Sequence, residues 1–319
     1  MNEMRKVVLS VDAGKNCVKI CHNQKVSKFE NSVLDSDYEK KPSNGNSFEV
    51  IYQEKRYLVG DKVNSLKDYS SNKINNQNKI AIYTAIANVI ASQKAEIEVQ
   101  LVTGLPNEHY NEKNEEDLKD LLQGEINLRI NNKEVKFSLK KDNILVMPEC
   151  YSVDYVETPR TLLVDLGYRN ANLNLLEYGN MISRHMKHSE LGMHVFKTCI
   201  AEEFERKYRN NFKLQDITDY IVINGLPHDA DSLELIRKGT IKYLTQLNNE
   251  MESKDFNLKT VNKLVFRGGG TNLIKKEHFE EVYPQYVKSN NLLIEGDEYK
   301  NVKIFSEVAE QYFGVGTNE

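Results

Sequence analysis

Long apolar runs are missing from this 319-residue chain. The longest, Ile80–Ala91 (IAIYTAIANVIA), is interrupted by Thr84 and Asn88 and falls well short of the roughly 20 residues a bilayer span requires, so no membrane partner is expected. The N-terminal MNEMRKVVLSVDAG has an apolar stretch of strand length followed by Asp12, without the core and cleavage site of a signal peptide. Cysteine is scarce. Cys17, Cys21, Cys150 and Cys199 are scattered, which fits free thiols in a reducing compartment and a cytoplasmic location. Cys17 and Cys21 share a strand face but lie too far apart along it to converge, and His185, His188 and His194 complete no zinc set. Neither charge is in marked excess: the formal net charge of -4 gives no basic footprint, so direct DNA binding is not expected. The chain lacks both the G-x-x-x-x-G-K-[ST] loop of Walker-type sites and the G-x-G-x-x-G of dinucleotide sites. It also lacks short repeats and low-complexity tracts, and the Asn-rich Asn72–Asn78 reads as a loop rather than a functional segment.

Charged residues make up 28% and apolar ones 39%, ordinary values for a folded protein whose length suits two domains with separate cores. Lys6–Val11 reads as a strand ending at Asp12-Ala13-Gly14, with Asn16–Cys21 as its hairpin partner and Val26–Val33 as a third strand. Phe48–Gln53 and Arg56–Gly60 form a second hairpin. Lys79–Ser92 has helical spacing, with Ile82, Ile86, Val89 and Ile90 on one face. Glu96–Val102 reads as a strand stopping at Thr103-Gly104-Leu105-Pro106. Glu115–Leu122 reads as a short helix, and Glu125–Arg129, Lys133–Leu139 and Asn143–Met147 as strands, the last ending at Pro148-Glu149.

The pattern then repeats. Leu162–Val164 leads to Asp165 and Gly167, and the chain returns through Ala171–Leu176 and Met181–Lys187, followed by a helix over Gly192–Arg209. Gln215–Asn224 reads as a short helix or an extended segment, and Asp231–Met251 as a long amphipathic helix. Val261–Phe266 is a strand running into Arg267-Gly268-Gly269-Gly270, Asn272–Val282 a helix, and Val302–Tyr312 a terminal helix. Two strand–hairpin–helix series of this kind predict a duplicated α/β architecture with a ligand cleft between its halves.

Three turns carry the candidate chemistry. In Asp12-Ala13-Gly14-Lys15-Asn16, Gly14 lets backbone approach a phosphate, the amides of Lys15 and Asn16 can donate to it, and Lys19 can reach the same anion from the returning strand. Asp12 can hold a hydrated Mg2+, a metal that keeps most of its waters. Alone, the segment reads first as a polar hairpin turn. Asp165-Leu166-Gly167-Tyr168-Arg169-Asn170 follows the same logic, and two such turns would clamp a triphosphate with Asp12 and Asp165 on the metal. In Phe266–Leu273, the glycines Gly268, Gly269 and Gly270 would let a flat ring lie on backbone, and Thr271 is placed to cap the following helix. Arg267 fits either a base contact or an exposed charge.

In this order and spacing the three turns resemble the phosphate-1, phosphate-2 and adenosine motifs of the actin/Hsp70/sugar-kinase superfamily. Val102-Thr103-Gly104-Leu105-Pro106, Val146-Met147-Pro148-Glu149 and Ser189-Glu190-Leu191-Gly192 narrow the resemblance to bacterial actin-like plasmid-segregation proteins of the ParM type. That resemblance implies an α/β fold of duplicated actin-like (RNase H-like) domains around a central nucleotide cleft. Domain I would be 1–160 with a small insertion at about 34–78. Domain II would be 161–300 with a helical subdomain at about 211–255, and 301–319 a C-terminal helix returning toward domain I. It implies ATP or GTP with Mg2+, hydrolysis coupled to filament assembly, self-association, and a DNA-binding adaptor bound to a plasmid centromere-like site. Glu149 would position the attacking water, with Asp165 as the second catalytic carboxylate, and Glu202 or Glu203 would meet the ribose. Leu273 completes the adenosine motif.

The chain departs from that pattern at Tyr168, Arg169 and Asn170, where the family has glycine and small hydroxyl residues, and at Lys15 and Asn16, where Ser or Thr commonly bind phosphate. Tyr168 would either narrow the approach to the terminal phosphate or point away, and Arg169 would either neutralise phosphate or sit in solvent. Alternatives in the same superfamily are a small-molecule kinase and a slowly hydrolysing cytoskeletal scaffold.

Overall fold

The computed structural model describes residues 5–43, 45–64, 72–93, 96–209, 222–223, 226–227 and 230–314. The chain divides into two units, Met1–Glu149 with Tyr299–Glu319, and Cys150–Glu298.

Unit 1 is built on a ten-stranded sheet. Its first strand, β1 (Arg5–Ala13), continues into β2 (Cys17–His22) and β3 (Lys25–Glu30) as an antiparallel meander. The short β4 (Val33–Asp35) and the hairpin β5 (Ser47–Tyr52) and β6 (Lys55–Gly60) follow, the hairpin turning through Gln53 and Glu54, both at positive φ. Next come α1 (Asn76–Ile90), β7 (Ile97–Leu105), α2 (Glu112–Leu122), β8 (Gly124–Ile130), β9 (Lys133–Leu139) and β10 (Ile144–Pro148). The sheet order is β3-β2-β1-β7-β9-β8-β5-β6-β4, with β10 also paired to β7. β7 runs parallel to β1, β9 and β10, and every one of its residues is buried, as expected of a central parallel strand covered on both faces.

Two expectations for unit 1 change. β7 does not stop at Thr103 but continues through Leu105, because β10 pairs with it from Leu101 to Leu105. Helix α1 is buried on nearly all sides, with Ile80, Ala81, Tyr83, Ala85 and Ala87 as covered as Ile82 and Ile86. An all-round apolar helix is stable only where neighbours cover every face, and each fully buried Ile there contributes about 1.5–3 kcal/mol relative to exposure. The C-terminal helix α7 (Lys300–Phe313) packs against β1 and β7. At Gly104 the ring of Phe305 fills the space that a side chain would need.

Unit 2 repeats the opening of unit 1 with β11 (Arg160–Leu166), β12 (Ala171–Glu177) and β13 (Asn180–Ser189) as an antiparallel meander. Helix α3 (Met193–Tyr208), the strand pair β14 (Val222–Ile223) and β15 (Leu226–Pro227), helix α4 (Ala230–Ser253) and β16 (Lys263–Arg267) follow. The sheet order is β13-β12-β11-β16-β17, with β17 (Leu292–Glu295) parallel to β16 and β16 parallel to β11. α3 and α4 pack together, and Phe196, Phe204, Tyr243, Leu247 and Phe266 lie in the core beneath them.

The expected single helix Asn272–Val282 is two pieces, a 3-10 turn over Gly269–Leu273 and α5 (Lys276–Val282). The 3-10 turn ends at Ile274, which is extended, and its buried side chain joins the core. Helix α6 (Pro284–Lys288) and β17 were not foreseen. The expectation for Gln215–Asn224 falls mostly outside the described residues, as does part of the expected helical subdomain at 211–255.

Candidate functional site

In unit 1, backbone pairing brings two strand ends to the same place. Asp12 pairs with Lys19 across the β1/β2 hairpin, and Val11 pairs with Thr103 of β7. Glu149 follows β10 on the other edge of β7, its amide donating to the Leu105 carbonyl at 2.8 Å. The turn at Gly14 is fixed from outside: Asn31 Nδ2 donates to the Gly14 carbonyl at 2.8 Å, and the Asn31 amide to the Asn16 carbonyl at 2.9 Å. Lys15 Nζ reaches the Asn72 carbonyl at 3.5 Å, and Asn16 Nδ2 lies 3.6 Å from Cys17 Sγ.

The residue that joins these parts was missed in the sequence. Lys73 is buried, with its Nζ 2.5 Å from Glu149 Oε1 and 3.8 Å from Asp12 Oδ1. Lys19 Nζ lies 3.9 Å from the other oxygen of Asp12. Burial alone works to lower the Lys73 pKa, but the Glu149 and Asp12 carboxylates outweigh it and hold the ammonium above its ordinary value. Asp12 and Glu149 are themselves largely buried.

The asparagines read as a loop are the device that places this lysine. Asn75 caps α1 by accepting from the Asn78 amide at 2.8 Å, and its own Nδ2 donates to the Asn72 carbonyl at 3.0 Å. The buried Asn78 donates to the Lys73 carbonyl at 2.9 Å. Asn72 Oδ1 accepts from the Ile74 amide at 2.8 Å. A lysine held inside a run of capping asparagines, just ahead of a helix whose middle is mostly apolar, is the signal that could have found it.

In unit 2, Asp165 sits near the end of β11, paired with Asn172 on one side and with Arg267 of β16 on the other. The Gly167–Asn170 turn closes by a Gly167 amide to Asn170 carbonyl bond of 2.9 Å. It also receives the start of α3: the amides of Met193 and His194 donate to the carbonyls of Gly167 and Tyr168 at 3.0 and 2.9 Å. Gly192 is required here because a Cβ would overlap the backbone of Arg169 and Asn170. Tyr168 uses its carbonyl in this contact while its side chain is exposed; Arg169 is half-buried, and Asn170 Nδ2 lies 3.2 Å from His188 Nδ1.

Two readings of the glycine turn are corrected. Thr271 does not cap a helix: it lies inside the 3-10 turn, and its hydroxyl is 2.8 Å from the Gly268 carbonyl and 3.2 Å from that of Glu295. Arg267 is not an exposed charge. It is 1% exposed, and its Nη2 donates to the Tyr151 carbonyl at 2.7 Å. Burial opposes its charge, but Cys150, Asp165, Glu295 and Tyr155 outweigh that and push its pKa up. The missing side chains at Gly268 and Gly270 leave room for Asp165, Leu166 and Met193 of the same unit, and Gly269 lies against Glu298. Leu273 is exposed. Glu202 pairs with Lys242 at 2.5 Å, and the buried Glu203 with Arg206 at 3.0 Å.

The donor set fits a phosphate-bearing ligand with Mg2+. No group of three or more His, Cys, Asp or Glu that could hold a metal occurs among the described residues. Taken singly, the carboxylates of Asp12 in unit 1 and of Asp165 in unit 2 are hard oxygen donors of the kind magnesium takes, an ion that needs few protein ligands and completes its shell with water and phosphate. Lys19, Lys73 and the Gly14 turn supply the matching positive charge and approachable backbone.

Residues 10–151 match the family described as actin like proteins N terminal domain. No curated protein sequence matches the chain. Among solved structures, a 15-stranded ParM filament from Clostridium botulinum superposes with a TM-score of 0.75 at 18% identity, covering 97% of this chain and 100% of the other. Ta0583, an archaeal actin homolog, gives 0.73 at 12% identity, covering 96% and 99%. Bacillus thuringiensis ParM with AMPPNP gives 0.66 at 12% identity, again covering 96% and 99%. At these identities the likeness is one of fold.

Proposed function

We propose that this chain, whose residues 10–151 match the actin-like N-terminal domain family and whose fold along its length is like that of solved actin-like proteins, is a nucleotide triphosphatase whose filaments serve plasmid partition or DNA segregation. The observation that carries this reading is the Asp12–Lys73–Glu149 cluster: a glycine turn, two carboxylates and a buried cation gathered where three strands of an actin-like sheet end.

Within unit 1, Gly14, Lys15, Asn16 and Lys19 bind the phosphates of ATP or GTP, and Asp12 holds the metal. Glu149 orients the attacking water and accepts its proton, a role suited to a carboxylate whose backbone is tied to the end of β7. For unit 2, taken by itself, the same reading assigns Asp165 to the metal, Gly167–Asn170 to phosphate, and Gly268–Thr271 with Leu273 to the nucleoside. Glu202 or Glu203 accepts from a ribose hydroxyl on exchanging its present cation partner. Mg2+, when bound, neutralises the phosphate oxygens and orients the triphosphate. Self-association into filaments is supported by the fold shared with the C. botulinum ParM filament. The net charge of -4 favours reaching DNA through a separate adaptor bound to a centromere-like site.

Incubation with Mg-ATP or Mg-GTP, high-speed pelleting and measurement of released phosphate test the proposal. Pelleting with phosphate release is expected. No pellet with either nucleotide would sink the filament reading; release that depends on a small-molecule acceptor would indicate a kinase, and a pellet without release a scaffold.

A further inference from the structure

The turn after β11 is held by a side-chain pair that no motif includes. Its backbone is closed by the Gly167 amide on the Asn170 carbonyl, and the start of α3 takes the carbonyls of Gly167 and Tyr168. A further hold comes from β13. His188, whose side chain is only 15% exposed, sets Nδ1 3.2 Å from Asn170 Nδ2. An amide nitrogen donates and never accepts, so Nδ1 is the acceptor and the ring proton belongs on Nε2, which faces Glu190 Oε1 at 3.6 Å. Strand register brings the histidine here: His188 stands opposite Asn172, and Asn172 opposite Asp165. The other end of the Asn170 amide folds back over Gly167, where a Cβ would lie 3.2 Å from Asn170 Oδ1 and 3.0 Å from its carbonyl oxygen. The Asn170 side chain is therefore engaged within the turn, between a histidine and a glycine.

We propose that His188 is a positioning residue for the phosphate turn of unit 2: by accepting from Asn170 it fixes that amide as a brace, and the backbone of Gly167–Asn170, not the Asn170 side chain, is what meets phosphate. The proposal rests on the nucleotide reading for what the turn binds, whereas the brace belongs to the protein alone. Without an acceptor at His188 the amide turns between two orientations, one laying its oxygen over Gly167 and the other its nitrogen. Choosing one of them costs rotamer entropy, and with His188 that cost is met on folding, before any ligand arrives. Asn170 is also one of the positions at which the chain departs from the small hydroxyl residues of the pattern it resembles. The longer amide is what reaches the ring of His188, so the departure and the histidine form one device.

Two measurements on the full chain test this. In nucleotide-free protein labelled with nitrogen-15 at histidine, long-range proton–nitrogen spectra at mildly alkaline pH distinguish the two neutral tautomers from the imidazolium, and His188→Gln identifies the His188 signals. The unaltered protein should show the Nε2–H form, and Asn170→Asp, which can only accept, should move a proton onto Nδ1. An Nδ1–H ring in the unaltered protein, or a ring unmoved by Asn170→Asp, overturns the proposal. The second measurement is Mg-ATP affinity by calorimetry. His188→Phe and Asn170→Ala should each weaken binding about fivefold and the double variant also about fivefold, because each removes the same brace. A direct phosphate contact from Asn170 would instead multiply the losses to about 25-fold. His188→Gln, whose Oε1 accepts in place of Nδ1, should stay within about twofold of the unaltered protein. Multiplied losses, or His188→Gln as weak as His188→Phe, overturn the proposal. Should His188→Phe fail to fold, the spectra of Asn170→Asp carry the decision. If the unaltered protein binds neither Mg-ATP nor Mg-GTP, the nucleotide reading fails by itself, and the spectra still decide whether His188 fixes Asn170.

Discussion

Gly268 yields its side-chain space to Asp165: a Cβ at this glycine would overlap Oδ1 of the aspartate, and the backbone there has φ +88°, a conformation L side chains rarely adopt. The glycine turn after β16 therefore shapes the carboxylate at the end of β11 within the same unit. Gly268→Ala combines left-handed strain of about 1–3 kcal/mol with displacement of Asp165. We expect a lowered Tm and weaker Mg-nucleotide binding. Gly269→Ala, where a Cβ would be 3.2 Å from Glu298 Cβ, should be much milder and serves as the control. Equal melting of Gly268→Ala and the unaltered protein would refute the close-approach argument.

Arg267 should prove structural for unit 2. Its buried guanidinium faces Asp165, Glu295 and Tyr155, and the Tyr155 hydroxyl lies 3.0 Å from Glu295 Oε1. Burial and the Glu295 charge push the Tyr155 pKa up, so the phenol stays protonated and can donate. Arg267→Met leaves the buried Asp165 and the half-buried Glu295 without their cation, and urea unfolding should show a loss of about 3–5 kcal/mol. Lys at this position should restore only part of it, since a point ammonium cannot reproduce the planar fork. A loss below about 1 kcal/mol would show that the network contributes little.

Tyr168 bears on the departure from the family pattern. The turn uses its carbonyl, bonded to the His194 amide, whereas the ring is exposed. Tyr168→Ala should therefore leave stability within about 0.5 kcal/mol. Any change in phosphate release then reports on the ring and the nucleotide, not on the fold. A large drop in Tm would mean that the ring supports the turn.

His278 gives an acid-side prediction. It is buried in α5, its Nδ1 has no hydrogen-bond partner among the described residues, and burial lowers its pKa below the usual 6.5. The unfolded chain then takes up this proton first, so its contribution to stability is present above pH 6.5 and is lost as pH falls below that value toward the folded pKa. Chemical unfolding of His278→Gln between pH 7.5 and 5.5 should show a shallower loss than the unaltered protein, about a factor of two being ample to detect. His185, also lowered mainly by burial, retains part of the dependence. Parallel profiles would rule out His278 as a contributor.

The hairpins at Asp12 and Asp165 were legible because a strand, an acidic turn and a returning strand are local features, written in alternation and in Gly14 and Gly167. The doubling of that pattern was enough to anticipate the α/β class, and the motifs in its turns to anticipate a fold like that of the solved actin-like proteins. Boundaries slipped where pairing overrode local signals. β7 continues past Thr103 because β10 lies beside it, and the predicted Asn272–Val282 helix is interrupted where Ile274 enters the core.

Sequence by itself determined where the chain turns, which segments alternate and which carboxylates end strands, since dihedral preference and side-chain period act over a few residues. Tertiary structure alone decided that Lys73 meets Asp12 and Glu149, that Arg267 is buried beside Asp165, and that Gly268 makes room for a carboxylate rather than only for a ligand. These pairings join residues distant along the chain, and they arise because a buried charge must find an opposite one wherever the sheets bring it.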